Sequence, residues 1–289
     1  MKSTAKPGSK GYLRIAKDPL WIGLAILGGI LVLGLVAPLF APFGETERLP
    51  GSVLSAPSST NWFGTDKNGM DVFSRCLFSI RLDLPIAIGG TLIALVFGGG
   101  LGLVAGYFGG WFDEAVTRVA DITQAFPILI LAMAVVAATG SSIAVVVLII
   151  GVFDTPIYLR LVRVQAAISR QADYVGSAIV LGCSTPRILV RHILPNVLPS
   201  LGAQVATRMA WAIKVTASLA FVGVGIGVPT AEWGSMIRVG AGSVAVGQWW
   251  PAFFPGLMVV LVTVGLRLAA EGIQTRWTSG TETDQGAKI

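Results

Sequence analysis

Long apolar runs restrict the folds that this chain can adopt more than any other feature of its sequence. Several of them reach the length of about 20 residues that a helix needs to cross the hydrocarbon core of a bilayer. Of the 289 residues, 54% are hydrophobic and only 12% are charged, which is too little polar surface for a water-soluble domain of this size. We therefore expect an all-α integral membrane protein.

Six transmembrane helices are predicted from the apolar runs. They divide the chain into a tail over residues 1–19, a first helix over 20–40, an extracytoplasmic segment over 41–83, a five-helix core over 84–273 and a second tail over 274–289. Within the core, the predicted spans cover approximately residues 84–106, 127–138, 143–158, 198–222 and 251–270.

Lysine and arginine near the helix ends predict the orientation, because cytoplasmic loops carry an excess of both. Basic residues cluster before the first span and around the loop between the fourth and fifth. With six spans, these segments and the C terminus share one face, so both tails are predicted to be cytoplasmic. The residues concerned are Lys2, Lys6, Lys10, Arg14 and Lys17 in the tail, and Arg160, Arg163, Arg170, Arg187 and Arg191 near the loop.

A glycine repeat marks the second predicted span. Gly98, Gly102 and Gly106 recur at four-residue spacing, which places them on one face of the helix and allows another helix to approach closely. Two interpretations are open: the approaching helix belongs to this chain, or it belongs to a second subunit.

Three ionisable residues interrupt the apolar runs: Asp154, Arg208 and Lys214. Charges at membrane depth are costly and usually face the interior of a helix bundle or a water-filled path. Asp154 could pair with either Lys214 or Arg208. One interpretation is that the three residues line a translocation path. The alternative is that some of them lie near the interface and extend their charged ends into water.

Motifs for catalysis are missing from the sequence. There is no G-x-x-x-x-G-K-[ST] phosphate loop, and no lysine directly follows a glycine, so the chain is not expected to hold a nucleoside triphosphate in that way. The single histidine, His192, has no nucleophile motif to act with, and the two cysteines form no zinc pattern. No catalytic residue, metal site or bound cofactor is predicted.

The loop over residues 165–196 is the most informative segment. It is long, mostly polar and predicted to be cytoplasmic. A short helix over about 170–181 is expected to end at Gly182, because glycine suits the left-handed position after a helix. Thr185 is expected to cap a second helix, and Pro195 is expected to break that helix before the fifth span.

This loop resembles the cytoplasmic loop of binding-protein-dependent ABC-importer permeases, whose motif is Glu-Ala-Ala, three residues, then Gly. The matching positions are Gly176, Ser177, Ala178 and Gly182, with Asp173 one turn earlier in place of the missing acid. Other stretches are similar to the dipeptide, oligopeptide and nickel group of these permeases, and in particular to the C-type subunit of the permease pair. They are Trp62-Phe-Gly-Thr-Asp66, Gly106-Tyr-Phe-Gly-Gly110, Pro229-Thr-Ala-Glu-Trp-Gly-Ser-Met236 and Phe254-Pro-Gly256.

The resemblance implies half of a transporter in the cytoplasmic membrane of a bacterium or archaeon. A second, homologous permease is its partner, two ATPase subunits dock on the cytoplasmic loop, and an extracytoplasmic solute-binding protein delivers the cargo. ATP and Mg²⁺ are used by the ATPase subunits. Di- or oligopeptides are the expected cargo, with nickel or another small solute as the alternative. A secondary transporter is less favoured, because no inverted repeat is evident.

Candidate site residues follow from the same resemblance. ATPase docking is expected at Asp173, Gly176, Ser177, Ala178, Gly182, Arg187 and Arg191. In the last external loop, Glu232, Trp233 and Arg238 are expected to contact the binding protein, or to lie at the lipid headgroups as interfacial anchors. A nucleic-acid partner is not expected, because the basic residues flank apolar runs instead of clustering with aromatics.

The two cysteines test the orientation. Because they are predicted to lie on opposite sides of the membrane, Cys76 should react with an impermeant thiol reagent in intact cells, and Cys183 should react only from the cytoplasm. Labelling of Cys183 but not Cys76 in sealed cells would reverse the topology.

Overall fold

A computed structural model of the chain describes residues 18–286, with side chains described for residues 18–276. Within these residues the chain forms helices joined by loops and contains no β-strand, in agreement with the predicted all-α class. The helices are α1 Pro19–Phe40, α2 Val72–Phe108, α3 Gly110–Ala125, α4 Ile128–Thr139, α5 Ile143–Arg170, α6 Asp173–Val180, α7 Thr185–Ile188, a π-helical turn Leu189–Ile193, α8 Leu194–Val222, α9 Trp233–Val244 and α10 Trp250–Gly286.

Five helical stretches in the described residues are long and apolar enough to cross a bilayer. They are α1, α2, α5, the stretch Thr185–Val222, and Trp250–Arg276 of α10. A sixth crossing is present if α3 and α4, which are bent by 89° relative to each other, count as one span. The bend arises because Pro127 forces the preceding Phe126 into extended backbone.

The bent pair runs antiparallel to α5. Near the start of α3, Asp113 forms an ion pair with Arg163, and at the end of α4, Thr139 lines the same groove as Val145. Helix α4 has 12 residues and covers about 18 Å by itself, which is well short of a hydrocarbon core of about 30 Å. If α3 and α4 count as one span, the predicted third span, 127–138, is therefore only the second half of that crossing.

Helix α2 begins earlier than predicted. It starts at Val72, because the Asp71 side chain accepts a hydrogen bond from the Ser74 amide and so caps the helix. Its 37 residues extend for about 55 Å. This is more than a bilayer core, so its first turns belong to the segment predicted over 41–83.

The predicted tails differ in how much of them is described. Helix α10 continues to Gly286, so the tail predicted over 274–289 is helical through residue 286. Residues 1–17, which include the basic residues of the N-terminal tail, and residues 287–289 lie outside the described part of the chain.

The glycine repeat of α2 packs against α5 of the same chain. A Cβ on any of its three glycines would collide with a backbone carbonyl oxygen of α5, so only glycine permits this approach. The pairs are Gly98 with Thr155, Gly102 with Leu159, and Gly106 with Arg163. Of the two interpretations that the sequence leaves open, the structure supports packing within the subunit.

Helix α1 packs against α10 in a similar way. Gly23 lies directly against the backbone of α10, and Gly272 lies directly against Leu20. At one end of the pair, Asp18 caps α1 and also pairs with Arg276 at 2.8 Å. The first and last crossing helices are thereby held together.

The segment between α1 and α2 packs onto the end of the bundle. Arg75, 1% exposed, donates hydrogen bonds to the carbonyl oxygens of Glu45 and Pro229 at 2.9 and 2.8 Å, which joins this segment to the loop before α9. The same packing leaves Cys76 only 1% exposed. The expectation that Cys76 reacts with an impermeant reagent is therefore wrong, and a cysteine introduced at exposed Ser59 is the position to label instead.

Gly102 and Gly100 form a matched pair for testing the packing of α2 on α5. A Cβ at Gly102 would lie 2.5 Å from the Leu159 carbonyl oxygen, whereas a Cβ at Gly100 meets nothing within 4 Å. Gly102→Leu should separate the helices and lower the free energy of unfolding in detergent by about 1–3 kcal/mol. Gly100→Leu should change it by about 0.5 kcal/mol or less. Identical unfolding curves for the two variants would contradict this packing.

Candidate coupling loop and membrane ion pair

The loop over residues 165–196 contains two short helices. The first, α6, covers Asp173–Val180 and not the predicted 170–181, because the last turns of α5 continue into the loop and a turn separates the two helices. The Asn196 side-chain amide donates a hydrogen bond to the Tyr174 hydroxyl at 3.1 Å. This contact ties the beginning of α6 to the beginning of α8.

A glycine turn ends α6. The Gly182 amide donates to the Ile179 carbonyl and the Cys183 amide to the Ala178 carbonyl, both at 3.0 Å, which is the Schellman pattern of helix termination. Gly182 has a φ of 78°, a left-handed conformation that is unfavourable for residues with a Cβ. The predicted helix stop at Gly182 agrees with this geometry.

The second helix is continuous with a membrane-crossing helix. Its N-cap is Ser184, not Thr185 as predicted, and α7 passes through the π-helical turn directly into α8. The prediction that Pro195 breaks this helix is wrong. Pro195 directly follows the π-helical turn, where the α-helical hydrogen-bond register already changes, so its missing amide hydrogen is tolerated. The result is one helical stretch, Thr185–Val222, of 38 residues.

Most of the predicted docking residues face solvent. They are Asp173, Gly176, Ser177, Gly182, Arg187 and Arg191. Ala178 is only 5% exposed and packs with Val175 into the core of the chain itself, so the expectation that it contacts an ATPase is wrong. A helix of eight residues needs an apolar inner face to stay attached to the bundle, and Ala178 is part of that face.

Exposed apolar side chains that were not predicted from the sequence lie at the end of α6. Val180 is 88% exposed, Leu181 82% and Ile179 52%. Their signal in the sequence is an unbroken apolar run before Gly182, since the inner face of one helix can accommodate only part of such a run. We call these three residues the tip patch. Contiguous exposed apolar surface of this kind typically marks an interaction site.

Beneath α6, one buried cluster joins the loop to the crossing helices. Its members include Val175 and Ala178 of α6, Ile188 and Ile193 of the second helix and π turn, and Tyr158, Val162 and Ala166 of α5. Because the loop shares this core with α5 and continues into α8, it is packed as part of the bundle.

A buried ion pair joins α5 and α8. Arg208 lies at the midpoint of α8, and its guanidinium contacts the fully buried carboxylate of Asp154; Lys214 is exposed and does not take part. The guanidinium also lies 4.5 Å from the centre of the Trp211 ring, which is a cation–π contact. One Asp154 oxygen, the Arg208 Nε and the Tyr158 hydroxyl have no hydrogen-bond partner among the described residues.

The predicted binding-protein contacts are mostly inaccessible. Glu232 and Trp233 are each 1% exposed, so the expectation that they contact a binding protein or the headgroups is wrong. Glu232 instead caps α9, accepting hydrogen bonds from the Gly234 and Ser235 amides at 2.8 and 2.6 Å. Burial raises the pKa of the Glu232 carboxyl to about 7. Arg238 is exposed and remains a candidate.

Comparison with known proteins decides the class of this chain. Residues 98–279 match the family described as binding-protein-dependent transport system inner membrane component. This chain belongs to that family. It is the permease component of an ABC importer and a multi-pass membrane protein, and by family it is a transport subunit and not an enzyme.

Similar permeases cover nearly the whole chain. A dipeptide transport system permease protein of Alkalihalophilus pseudofirmus is 34% identical over 94% of this chain and 90% of its own length. A probable D,D-dipeptide transport system permease protein of Escherichia coli is 36% identical over 94% and 92%. A glutathione transport system permease protein of Pectobacterium atrosepticum is 35% identical over 94% and 91%. The resemblance inferred from the sequence motifs is confirmed.

The Asp154–Arg208 pair of this permease can be tested by removing one charge or both. Arg208→Leu leaves Asp154 buried without a counter-ion and should lower the free energy of unfolding by about 3–5 kcal/mol. Combining it with Asp154→Leu removes both charges, so the double variant should regain most of that loss. Denaturant unfolding of the purified permease measures both values. If the double variant is as unstable as the single one, the loss comes from side-chain packing at this contact and not from the unpaired charge.

Proposed function

We propose that this permease forms half of the translocation pathway of an ATP-driven, binding-protein-dependent importer for di- or oligopeptides. The cargo assignment rests on the relatives, whose names specify dipeptides, D,D-dipeptides and glutathione. These solutes share peptide-like bonds and free carboxylates. The names of the relatives therefore favour a peptide over nickel as the solute that this permease carries.

The proposed assembly contains four kinds of subunit. A second, homologous permease completes the pathway, two ATPase subunits dock from the cytoplasm and use ATP and Mg²⁺, and an extracytoplasmic solute-binding protein delivers the peptide. Both termini and the loop over residues 165–196 face the cytoplasm. Arg238, exposed near the opposite end of the bundle, faces the binding protein.

The observation that carries the coupling role is the continuity of this loop with α8. The second helix of the loop enters the membrane as one stretch, Thr185–Val222, and α6 shares a buried core with α5. A force applied to α6 by the ATPases therefore reaches two crossing helices through packed contacts. Rigid transmission of this kind is what a transporter needs to switch between inward-facing and outward-facing states.

The proposed docking surface combines the tip patch with polar neighbours. Asp173, Gly176 and Ser177 lie on exposed positions of α6, where small side chains allow a partner to approach closely. Arg187 and Arg191 are four residues apart and exposed, so they share a helix face and offer positive charge to acidic groups of an ATPase.

Gly176→Trp tests docking without disturbing the fold of the permease. A Cβ at Gly176 meets nothing within 4 Å and the residue is exposed, so a tryptophan fits the permease and collides only with a partner. We expect the affinity for the ATPase subunits to fall by about tenfold or more, with a matching loss of peptide uptake. Copurification of the ATPases and uptake into proteoliposomes measure the two effects.

Gly242→Trp is the matched control. Gly242 is an exposed glycine of α9 with equally open surroundings, and it lies on the proposed extracytoplasmic side. This variant should retain the ATPase subunits. If Gly176→Trp also retains them and transports at the normal rate, the loop is not the coupling element and the proposed mechanism is wrong.

A further inference from the structure

Lys214 is a cation at membrane depth without a counter-ion. It lies on α8, eight residues before the helix ends at Val222, which is about 12 Å along the axis and further than a lysine side chain reaches. The residue is exposed. Within residues 18–276, no carboxylate lies at ion-pair distance from it.

Lys214 belongs to a polar stripe along α8. Thr207, Trp211, Lys214 and Ser218 recur every three or four residues, so they share one face of the helix. Lys214 and Ser218 are exposed, and Thr207 and Trp211 are half-buried. We call these four residues the α8 stripe. By contrast, α1 exposes apolar side chains such as Leu35, as expected for a face that contacts lipid.

The charge of Lys214 argues against lipid as the neighbour of the α8 stripe. Removing an ammonium group from water without a partner is costly, so ionisable residues within crossing helices usually face a bundle interior or a water-filled cavity. Among residues 18–276, Lys214 and Ser218 are both exposed, so this face of α8 is open. Water is therefore the environment that this face requires.

Arg208 places a second cation beside the α8 stripe. Its guanidinium lies over the Trp211 ring at 4.5 Å, and its side chain is 16% exposed whereas that of Asp154 is 0% exposed. An anion on the stripe would therefore meet Arg208 before Asp154. Since Asp154 already balances the charge of Arg208, the unmatched positive charge of this region is that of Lys214.

We propose that the α8 stripe is a water-lined wall of the translocation path and that Lys214 binds the carboxylate of the solute in transit. The proposal rests on the import function proposed above and adds a chemical class to it: a solute with a free carboxylate, as in any peptide with an unblocked C terminus. One lysine in contact with water forms an exchangeable ion pair, which suits passage.

Ser218, one turn beyond Lys214, is the reporter position for the test. The complete transporter is assembled with permease in which Cys76 and Cys183 are replaced by alanine, and Ser218→Cys is added. Its thiol should react faster with a negatively charged methanethiosulfonate than with a positively charged one. Lys214→Gln should lower this ratio of rates by about tenfold, since one unit charge a turn away is removed. Lys214→Arg should preserve the ratio.

Leu35→Cys in the same background is the control for lipid exposure. Leu35 lies five residues before the end of α1 and Ser218 four before the end of α8, so the two thiols sit at similar depth. Leu35→Cys should react slowly with both reagents. If Ser218→Cys is equally slow, lipid or the second permease covers the α8 stripe and the proposal is wrong. It is also wrong if the ratio does not depend on Lys214.

Uptake of radiolabelled alanyl-alanine by the complete transporter gives the functional measurement. Lys214→Gln should raise the KM or lower the rate by about tenfold, and Lys214→Arg should restore transport, because the contact requires charge. Unchanged uptake in Lys214→Gln would overturn carboxylate binding. Failure of the unaltered transporter to take up alanyl-alanine would count against the proposed peptide cargo alone, because the reagent rates test the α8 stripe separately.

Discussion

Close approach of α2 and α5 is the constraint on which the rest of the structure depends. Three glycines let the backbones meet along the pair, and a Cβ at any one of them would force the helices apart. Helix α5 also carries Asp154, the arginines that pair with α3, and one side of the core beneath the loop. In lipid, where apolar side chains gain little by leaving the solvent, such packing is a principal source of helix association.

The charged residues of the crossing helices differ in how they are compensated. Asp113 with Arg163, and Asp154 with Arg208, join different helices of the same chain, so these charges contribute to the arrangement of the bundle. Lys214 takes part in none of these ion pairs and is exposed. An ion pair between two helices forms only when the helices are arranged so that the two charges meet. An exposed cation, by contrast, remains available to a group outside the chain.

The loop over residues 165–196 shows why one part of a site can be predicted from sequence and another cannot. The turn at Gly182 depends on backbone conformation within a few residues, so the glycine itself predicts it. The inward position of Ala178 depends on apolar side chains that α5 and the second helix bring to it from elsewhere in the chain. Pro195 suggested a break, but its effect depends on its place within the helix, and the π-helical turn put it in a tolerated position.

By itself, the sequence determined the membrane class, the family and the helix stop at Gly182, because hydropathy, helical spacing and local backbone preference act over short stretches. The tertiary structure alone decided that the glycine repeat packs within the chain, that Arg208 is the partner of Asp154, and that Glu232 and Trp233 are buried. Those outcomes depend on contacts between distant segments, such as residues 154 and 208. Burial and ion pairing are set by what the fold brings alongside a residue, which its local sequence does not specify.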